Sequence, residues 1–415
     1  MTGFELRRPT EADIPALYRV SIHGYGMDDS DEVIAHAQRV NELDRTIGAW
    51  ADGAWVGCAS AYSFEVTLPG GACVPTAGVT MVGVAATHRR RGILTAMLDW
   101  LHDDAVHRGE SLAALTASEA SIYRRFGYGI TTQTCVLHLP TDAVDFDPPV
   151  PRTGTFRLLD PHDDIAPLAR LYDRVRHDRP GWISRNAAFW ENVRLDPPHD
   201  REGHTSLRAV VHLDEAGDVD GYATWRIAES TVARVADNTV RLDELVGLTP
   251  DTECALWRFC AEIDLVTTVT WQAPEADPLL RWRLVEPRKL RIEAPSDLVW
   301  TRLLDVTSVL SARTYGAEGS LTIGVRDDRL AQTGGSFRLT VDEPGGVGRC
   351  ERIGDARLDD ADLVGDVADV SSLALGAVPA TTLAAAGRLA GLPDALRLAD
   401  ALFASAPPPS CSVEF

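Results

Sequence analysis

Residues 79–98 read VTMVGVAATHRRRGILTAML, and the hydrophobic pattern changes period within them. Residues 79–84 are apolar and mostly β-branched, as in a buried strand. A polar turn follows, carrying Arg89, Arg90, Arg91 and Gly92. From Ile93 to about residue 106 the apolar positions recur at helical spacing, which predicts an amphipathic helix. Two further stretches resemble one another: FELRRPTEADIPALYRV at 4–20 and FRLLDPHDDIAPLARLYDRV at 156–175. Each opens with a short apolar strand and passes Pro9 or Pro161. Each then places acidic residues, Glu11 and Asp13 or Asp163 and Asp164, at the start of a predicted helix. Carboxylates there suit the positive end of the helix dipole. The offset of about 152 residues predicts a duplicated domain.

The pattern also marks boundaries. Residues 145–151, DFDPPVP, cannot be helical and predict a linker. Near 293–296 the character changes again. LTIGVRD at 321–327 and FRLTVD at 337–342 alternate apolar and polar residues, and an Ala/Leu-rich stretch over 371–403 predicts helix. Strands with segregated helices imply an α+β domain. The last nine residues, PPPSCSVEF, predict a stiff extended tail, about 28 Å long at ~3.1 Å per residue. The expected domains are 1–147, 148–292 and 293–415.

Composition narrows the function classes. A chain of 415 residues exceeds one hydrophobic core. The net charge of −21 repels phosphate backbones, which excludes nucleic acid as a partner, and it favours cationic ligands. The seven cysteines form no C-x-x-C pair, so neither a disulfide framework nor a zinc site is expected, and no metal of any kind. The beginning, MTGFELRRPTEAD, lacks a signal-peptide core, and no apolar run reaches the ~18 residues that span a bilayer. The expected location is cytoplasmic.

A strand entering a basic, glycine-containing turn that opens a helix is an anion cradle. First-turn N–H groups lack intrahelical partners and the dipole adds positive charge. The run Arg89-Arg90-Arg91-Gly92-Ile93-Leu94 resembles the acetyl-CoA motif R/Q-x-x-G-x-G/A of the GNAT acetyltransferase superfamily, with Leu94 in place of the second small residue. The resemblance implies acetyl-CoA as cosubstrate, its pyrophosphate at Arg89, Arg90, Arg91, Gly92 and Ile93. It places the pantetheine arm on the backbone of Val82 and Val84, with Gly83 between them. Downstream, SEASIYRRFGYG (118–129) carries Tyr123 where GNAT enzymes commonly place a tyrosine beside the CoA sulfur. A phenol near pKa 10 is protonated at neutral pH and can donate to a departing thiolate. Tyr128 is expected to pack with Phe126.

RRRGILTAML together with SEASIYRRFGYG resembles the Eis (enhanced intracellular survival) family of actinobacterial acetyltransferases, and the resemblance extends over the whole chain. It implies two GNAT-like domains in tandem, an active and a degenerate one, followed by an α+β domain similar to sterol carrier proteins. It implies a homo-hexamer, direct transfer in a ternary complex, and primary-amine acceptors such as aminoglycosides, at several positions, or lysine side chains. It also makes the terminal carboxylate of Phe415 the base, acting directly, through water, or by holding the ammonium. Candidate acceptor contacts are Asp28, Asp29 and Glu414. For Asp28 and Asp29 a solvated helix start capped by Ser30 is an equal alternative. In the second copy LDELVGLTPDTECALWRFC (242–260) has carboxylates and no glycine at the turn, so no donor binding is expected there. A lipid-binding or scaffold role with a vestigial acetyl-CoA site is the alternative function.

Overall fold

A computed structural model describes residues 3–26, 28, 31–198, 201–276, 278–354 and 358–415. The first sheet begins with β1 (Glu5–Arg7), β2 (Ile47–Ala51), β3 (Ala54–Thr67), β4 (Cys73–Val84), β5 (Leu112–Thr116) and β6 (Gly129–Ile130). Helices α1 (Ile14–Gly24) and α2 (Asp31–Val40) follow β1, α3 (Ile93–His107) follows β4, and the single-turn α4 (Ala120–Tyr123) follows β5. Helix α3 buries Ile93, Met97, Leu98, Leu101 and Ala105, the 3.6-residue stripe read from the sequence. That stripe packs on Ala49, Val56, Ala77 and Val79 of the sheet.

A second sheet repeats the plan. It contains β7 (Gln133–Pro140), β8 (Thr155–Leu159), β9 (Arg208–Leu213) and β10 (Val219–Ala228). After a short hairpin of β11 (Thr231–Val232) and β12 (Val235–Ala236) come β13 (Asn238–Gly247), β14 (Val266–Ala273) and β15 (Arg291–Ile292). Its helices are α5 (Ala166–Arg176), α6 (Ala187–Val193), α7 (Pro250–Ala261) and α8 (Leu280–Arg283). The two-residue β16 (Ser296–Asp297) precedes β17 (Val299–Leu303). The sheet orders are β1-β2-β3-β4-β5-β17-β6 and β8-β9-β10-β13-β14-β7-β15. They correspond place by place, so the similarity of 4–20 to 156–175 marks a true duplication of fold. The sixth place of each sheet is filled by a strand from the other half of the sequence.

Both exchanged strands are cut for burial. Cys135, Leu137 and Leu139 alternate into the core of the second sheet, and all five residues of β17 are buried in the first. The compact units therefore follow the exchange. One comprises residues 1–132, 178–184 and 297–415, the other 133–177 and 185–296. The linear boundaries expected at 147/148 and 292/293 do not coincide with these units.

The sterol-carrier-like region adds α9 (Val306–Ala312) and a five-stranded sheet of order β20-β19-β18-β21-β22, formed by β18 (Gly319–Arg326), β19 (Gly335–Val341), β20 (Arg349–Gly354), β21 (Leu363–Asp366) and β22 (Leu389–Gly391). Around it lie α10 (Val367–Ala374), α11 (Ala380–Ala385) and α12 (Pro393–Phe403). The stretch 371–403 is thus three helices with a strand between them. Gly376 and Gly387, both at left-handed φ, and Pro379 and Pro393 break it. All seven cysteines are free thiols and six are buried. Burial pushes the Cys58 and Cys260 thiols up to about 12, so they act as small apolar residues.

Candidate active site

The donor side of the site starts from one irregularity in β4. Its pairing with β3 slips between Cys58 and Ser60, and Met81 sits at φ +54. This is a β-bulge, which bends a strand away from its neighbour. Accordingly β4 meets β5 only at Thr76–Gly78 against Leu112–Ala114, and beyond that the two strands diverge. Val82 and Val84 lie in the divergent part. The Val82 carbonyl accepts a hydrogen bond from the Tyr25 hydroxyl at 3.2 Å.

The divergence opens a cavity of ≈ 560 Å³. Val82, Gly83, Val84, Arg89, Arg90, Gly92 and Ile93 line it, together with Ser118, Tyr123 and Arg125. Gly92 is the N-cap of α3 at φ +84, a left-handed conformation that favours glycine, and no atom lies within 4 Å of where its Cβ would stand. The first α3 residues, Ile93, Leu94 and Thr95, line the cavity beside it, and first-turn amides without intrahelical partners are what an anion seat requires. Arg91 is not in this lining, and its guanidinium turns back to the Thr87 carbonyl at 3.1 Å. Arg89 donates to the Gly24 carbonyl at 3.2 Å. His88, which carried no signal in the sequence pattern, also lines the cavity and bonds Thr87 Oγ1 at 2.8 Å and Asp52 Oδ2 at 3.2 Å.

Tyr123 ends α4 and is 4% exposed. Burial, then the neighbouring Tyr25, pushes its phenol above the usual tyrosine range, against the opposing hydrogen bond with Ser118. The resting group is therefore a neutral phenol throughout the physiological range. Tyr128 is fully buried, stands edge-on to Tyr123 at 6.1 Å, and bonds His102 Nε2 at 3.0 Å. Its expected packing role holds.

The tail ends beside β5, and neither Phe415 nor Thr116 is in the cavity lining. Thr116 is two residues past the last β5 residue paired with β4, and its hydroxyl donates to a Phe415 main-chain oxygen at 2.7 Å. The Phe415 ring stands edge-on to Phe64 at 5.1 Å. Upstream, Cys411 packs with Ala114, Leu298 and Val299. Ser410 is held by the Pro180 carbonyl at 2.8 Å and by the Trp182 indole at 3.1 Å. Residues 178–184 belong to this unit because they lie along β3, with Gly181 and Trp182 bonded to Thr67. Neither Thr116 nor this strap was found from the sequence. The turn-forming RPGW at 179–182 was the available signal for the strap.

The acidic candidates are less defined. Asp28 and Glu414 are exposed and outside the cavity lining. Asp29 and Ser30 lie outside the described residues.

In the second unit the matching strand and helix are β13 and α7. The α7 N-cap Thr249 accepts the Thr252 amide at 3.1 Å, and Asp251 and Glu253 occupy the first turn. The start of α7 lines a cavity of ≈ 440 Å³ whose wall carries Thr249, Asp214, Glu215, Asp220 and Asp251, a lining of carboxylates that repels an anion.

Comparison with known proteins agrees with this geometry. A family model described as an acetyltransferase (GNAT) domain matches residues 5–131, and another of the same description matches 181–303. A sterol carrier protein domain matches 306–412. An uncharacterized N-acetyltransferase of Streptomyces coelicolor is 37% identical over 88% of this chain and 87% of its own. The N-acetyltransferase Eis of Mycobacterium tuberculosis is 32% identical over 98% of both chains. The crystal structure of Eis1 from Mycobacterium abscessus superposes with a TM-score of 0.84 at 30% identity, covering 99% of this chain and 100% of that one. With its bulged donor strand, its basic turn and two GNAT domains before a sterol-carrier domain, the chain is an acetyltransferase and belongs to the Eis family of N-acetyltransferases.

Proposed function

We propose that this enzyme transfers the acetyl group of acetyl-CoA directly to primary amines of polycationic acceptors, aminoglycosides or lysine side chains, in a ternary complex. The observation carrying the reading is the seating of Phe415 by Thr116, where β4 and β5 part. It supports the reading by holding a carboxylate on β5, two residues past the last residue paired with β4.

In this reading Arg89, Arg90, Gly92 and Ile93 hold the pyrophosphate, with Arg91 adding charge nearby. The Val82 and Val84 backbone holds the pantetheine arm, while Gly83 between them lets α1 pack on the strand, since a Cβ there would stand 2.6 Å from Ser21 Cα. The amine nitrogen attacks the thioester carbonyl, a C–N bond forms and the C–S bond breaks. The substrate ammonium gives one proton to the Phe415 carboxylate, directly or through water. The sulfur takes the Tyr123 phenol proton as the C–S bond breaks, and the second proton of the attacking nitrogen restores the Tyr123 phenol through water. A carboxyl group near pKa ~3.5 is a weak base for an ammonium near ~10, so holding the ammonium is a large part of the Phe415 role. Asp28 and Glu414, within a chain of net charge −21, favour cationic acceptors. The family resemblance further supports a cytoplasmic hexamer.

The test measures CoA release with a panel of aminoglycosides, a Lys-rich peptide and an arylalkylamine. Wild type is compared with a chain lacking Phe415 and with Tyr123→Phe. Polyamine turnover that collapses without Phe415, and a kcat loss in Tyr123→Phe at unchanged acetyl-CoA affinity, are expected. Full turnover without Phe415 removes the tail from the mechanism, and an unchanged kcat in Tyr123→Phe removes the acid.

A further inference from the structure

In Arg124-Arg-Phe-Gly-Tyr-Gly129, directly after Tyr123, Arg125 lines the donor cavity, and side chains from beyond residue 298 grip Arg124, Arg125 and Phe126. Arg124 forms a two-pronged pair with Asp369 of α10, both bonds 2.7 Å, and the Asp369 carboxylate is 2% exposed. The Arg125 carbonyl accepts from Arg329 Nε at 3.0 Å. The Phe126 carbonyl accepts from Arg302 Nη1. Arg302 lies on β17, fully buried, and its Nη2 pairs at 2.7 Å with Asp327, whose carboxylate is 2% exposed. Arg329 also stacks over the Phe126 ring at 4.4 Å and ties back to Asp99 of α3 at 2.8 Å.

The same grip explains the glycines of the motif. A Cβ at Gly127, which holds φ +88, would stand 1.7 Å from Arg302 Nη1. A Cβ at Gly129 would stand 1.9 Å from the Ala368 carbonyl oxygen of α10. The Tyr123 carbonyl itself accepts the Tyr128 amide at 3.3 Å, so the segment held by the grip is bonded straight to the tyrosine.

Physical chemistry favours a positional role for these pairs. Buried ion pairs add little net stability compared with apolar packing, because desolvation offsets their attraction. A two-pronged arginine–carboxylate pair does fix geometry. A single-turn helix such as α4 cannot hold its own conformation, since helix nucleation is unfavourable. Tyr123 therefore takes its position from residues 124–129 and the side chains that clamp them.

We propose that Asp369, Asp327, Arg302 and Arg329 act as positioning residues for Tyr123. In this assignment the sterol-carrier-like domain is the frame that aims the proton donor at the donor cavity. The inference rests on the reading of Tyr123 as the acid.

The test measures kcat, acetyl-CoA affinity by calorimetry, and thermal unfolding for Asp369→Asn and Arg329→Gln. Each is made in wild type and in Tyr123→Phe. In wild type kcat falls roughly 5- to 20-fold, as small misplacements of a reacting group do, while acetyl-CoA affinity holds. In Tyr123→Phe the same substitutions change kcat by less than about 2-fold, because coupled residues are non-additive. Asp369→Glu restores part of the loss. Should Asp369→Asn fail to fold, the partly exposed Arg329→Gln carries the comparison. Equal losses in both backgrounds, or no loss in either, overturn the proposal. An unaltered kcat in Tyr123→Phe alone overturns the acid assignment first, and is seen without any frame variant.

Discussion

Thr116→Val isolates the seating of the tail. Valine keeps the shape and β-propensity of threonine in β5 and removes only the hydroxyl that bonds the Phe415 oxygen at 2.7 Å. A hydrogen bond to a charged acceptor contributes about 1.5–3 kcal/mol. At about 1.36 kcal/mol per decade this corresponds to roughly 10- to 160-fold in occupancy of the seated carboxylate. The Phe415–Phe64 contact remains, and edge-on pairs of this kind contribute about 0.5–1.5 kcal/mol. The anchors at Ser410 and Cys411 also remain. The loss in kcat should therefore sit near the lower end, about 10-fold. Acetyl-CoA affinity and thermal stability should change little, and Thr116→Ser should restore activity. The assay is thiol release at saturating acetyl-CoA with an aminoglycoside acceptor. If Thr116→Val turns over within about 2-fold of wild type while deletion of Phe415 abolishes turnover, the hydroxyl does not seat the carboxylate, since that gap is far below a lost charged hydrogen bond.

Charge reversal in the turn should be graded by direction. Arg90→Glu should weaken acetyl-CoA binding by about 10-fold or more, and Arg91→Glu by under about 3-fold, because only the first faces the cavity. Calorimetry giving equal losses would refute the grading. Alkaline stability should follow the buried phenols. Burial raises the folded-state pKa of Tyr123, Tyr128, Tyr222 and Tyr315 above the unfolded value near 10. Their stabilising contribution is thus complete below about pH 10 and is lost as pH rises past it. Melting temperature should fall above that pH, and phenolate absorbance from these residues should appear only with unfolding. A melting temperature flat to about pH 11 would contradict the sign.

Much of the donor site was legible because it is local. The strand, the basic turn and α3 are contiguous, and their chemistry depends on backbone amides that periodicity locates well. The long-range features were not legible. The β7 sequence QTCVLHLP alternates as a half-buried strand does but does not state which sheet it joins, and in β17, VWTRL, Arg302 argues against the full burial that is found. Arg302 and Arg313 are fully buried, against the ordinary exposure of arginine, because each finds backbone carbonyls across the fold. Thr116 carries no motif. Its role is visible only once the last residue of the chain lies against it.

The second unit shows why a retained fold need not retain a donor site. Its strand-to-helix turn is in the same topological place, and β13 likewise meets its parallel neighbour β14 over Asn238–Leu242 and then runs on without it. What differs is the helix start. The Thr249 hydroxyl already satisfies a first-turn amide, Thr252 Oγ1 is bound to Asp220 at 2.9 Å, and Asp251 and Glu253 stand in the first turn of α7, where the first turn of α3 has no carboxylate. A single glycine placed in that turn would not recreate an anion seat. The amide would still be capped, and Asp251 and Glu253 would still repel a pyrophosphate. The connection differs in length as well: residues 85–92 separate β4 from α3, whereas only Leu248 and Thr249 separate β13 from α7. The sheet around it remained intact, because its strands carry the hydrophobic core of the unit.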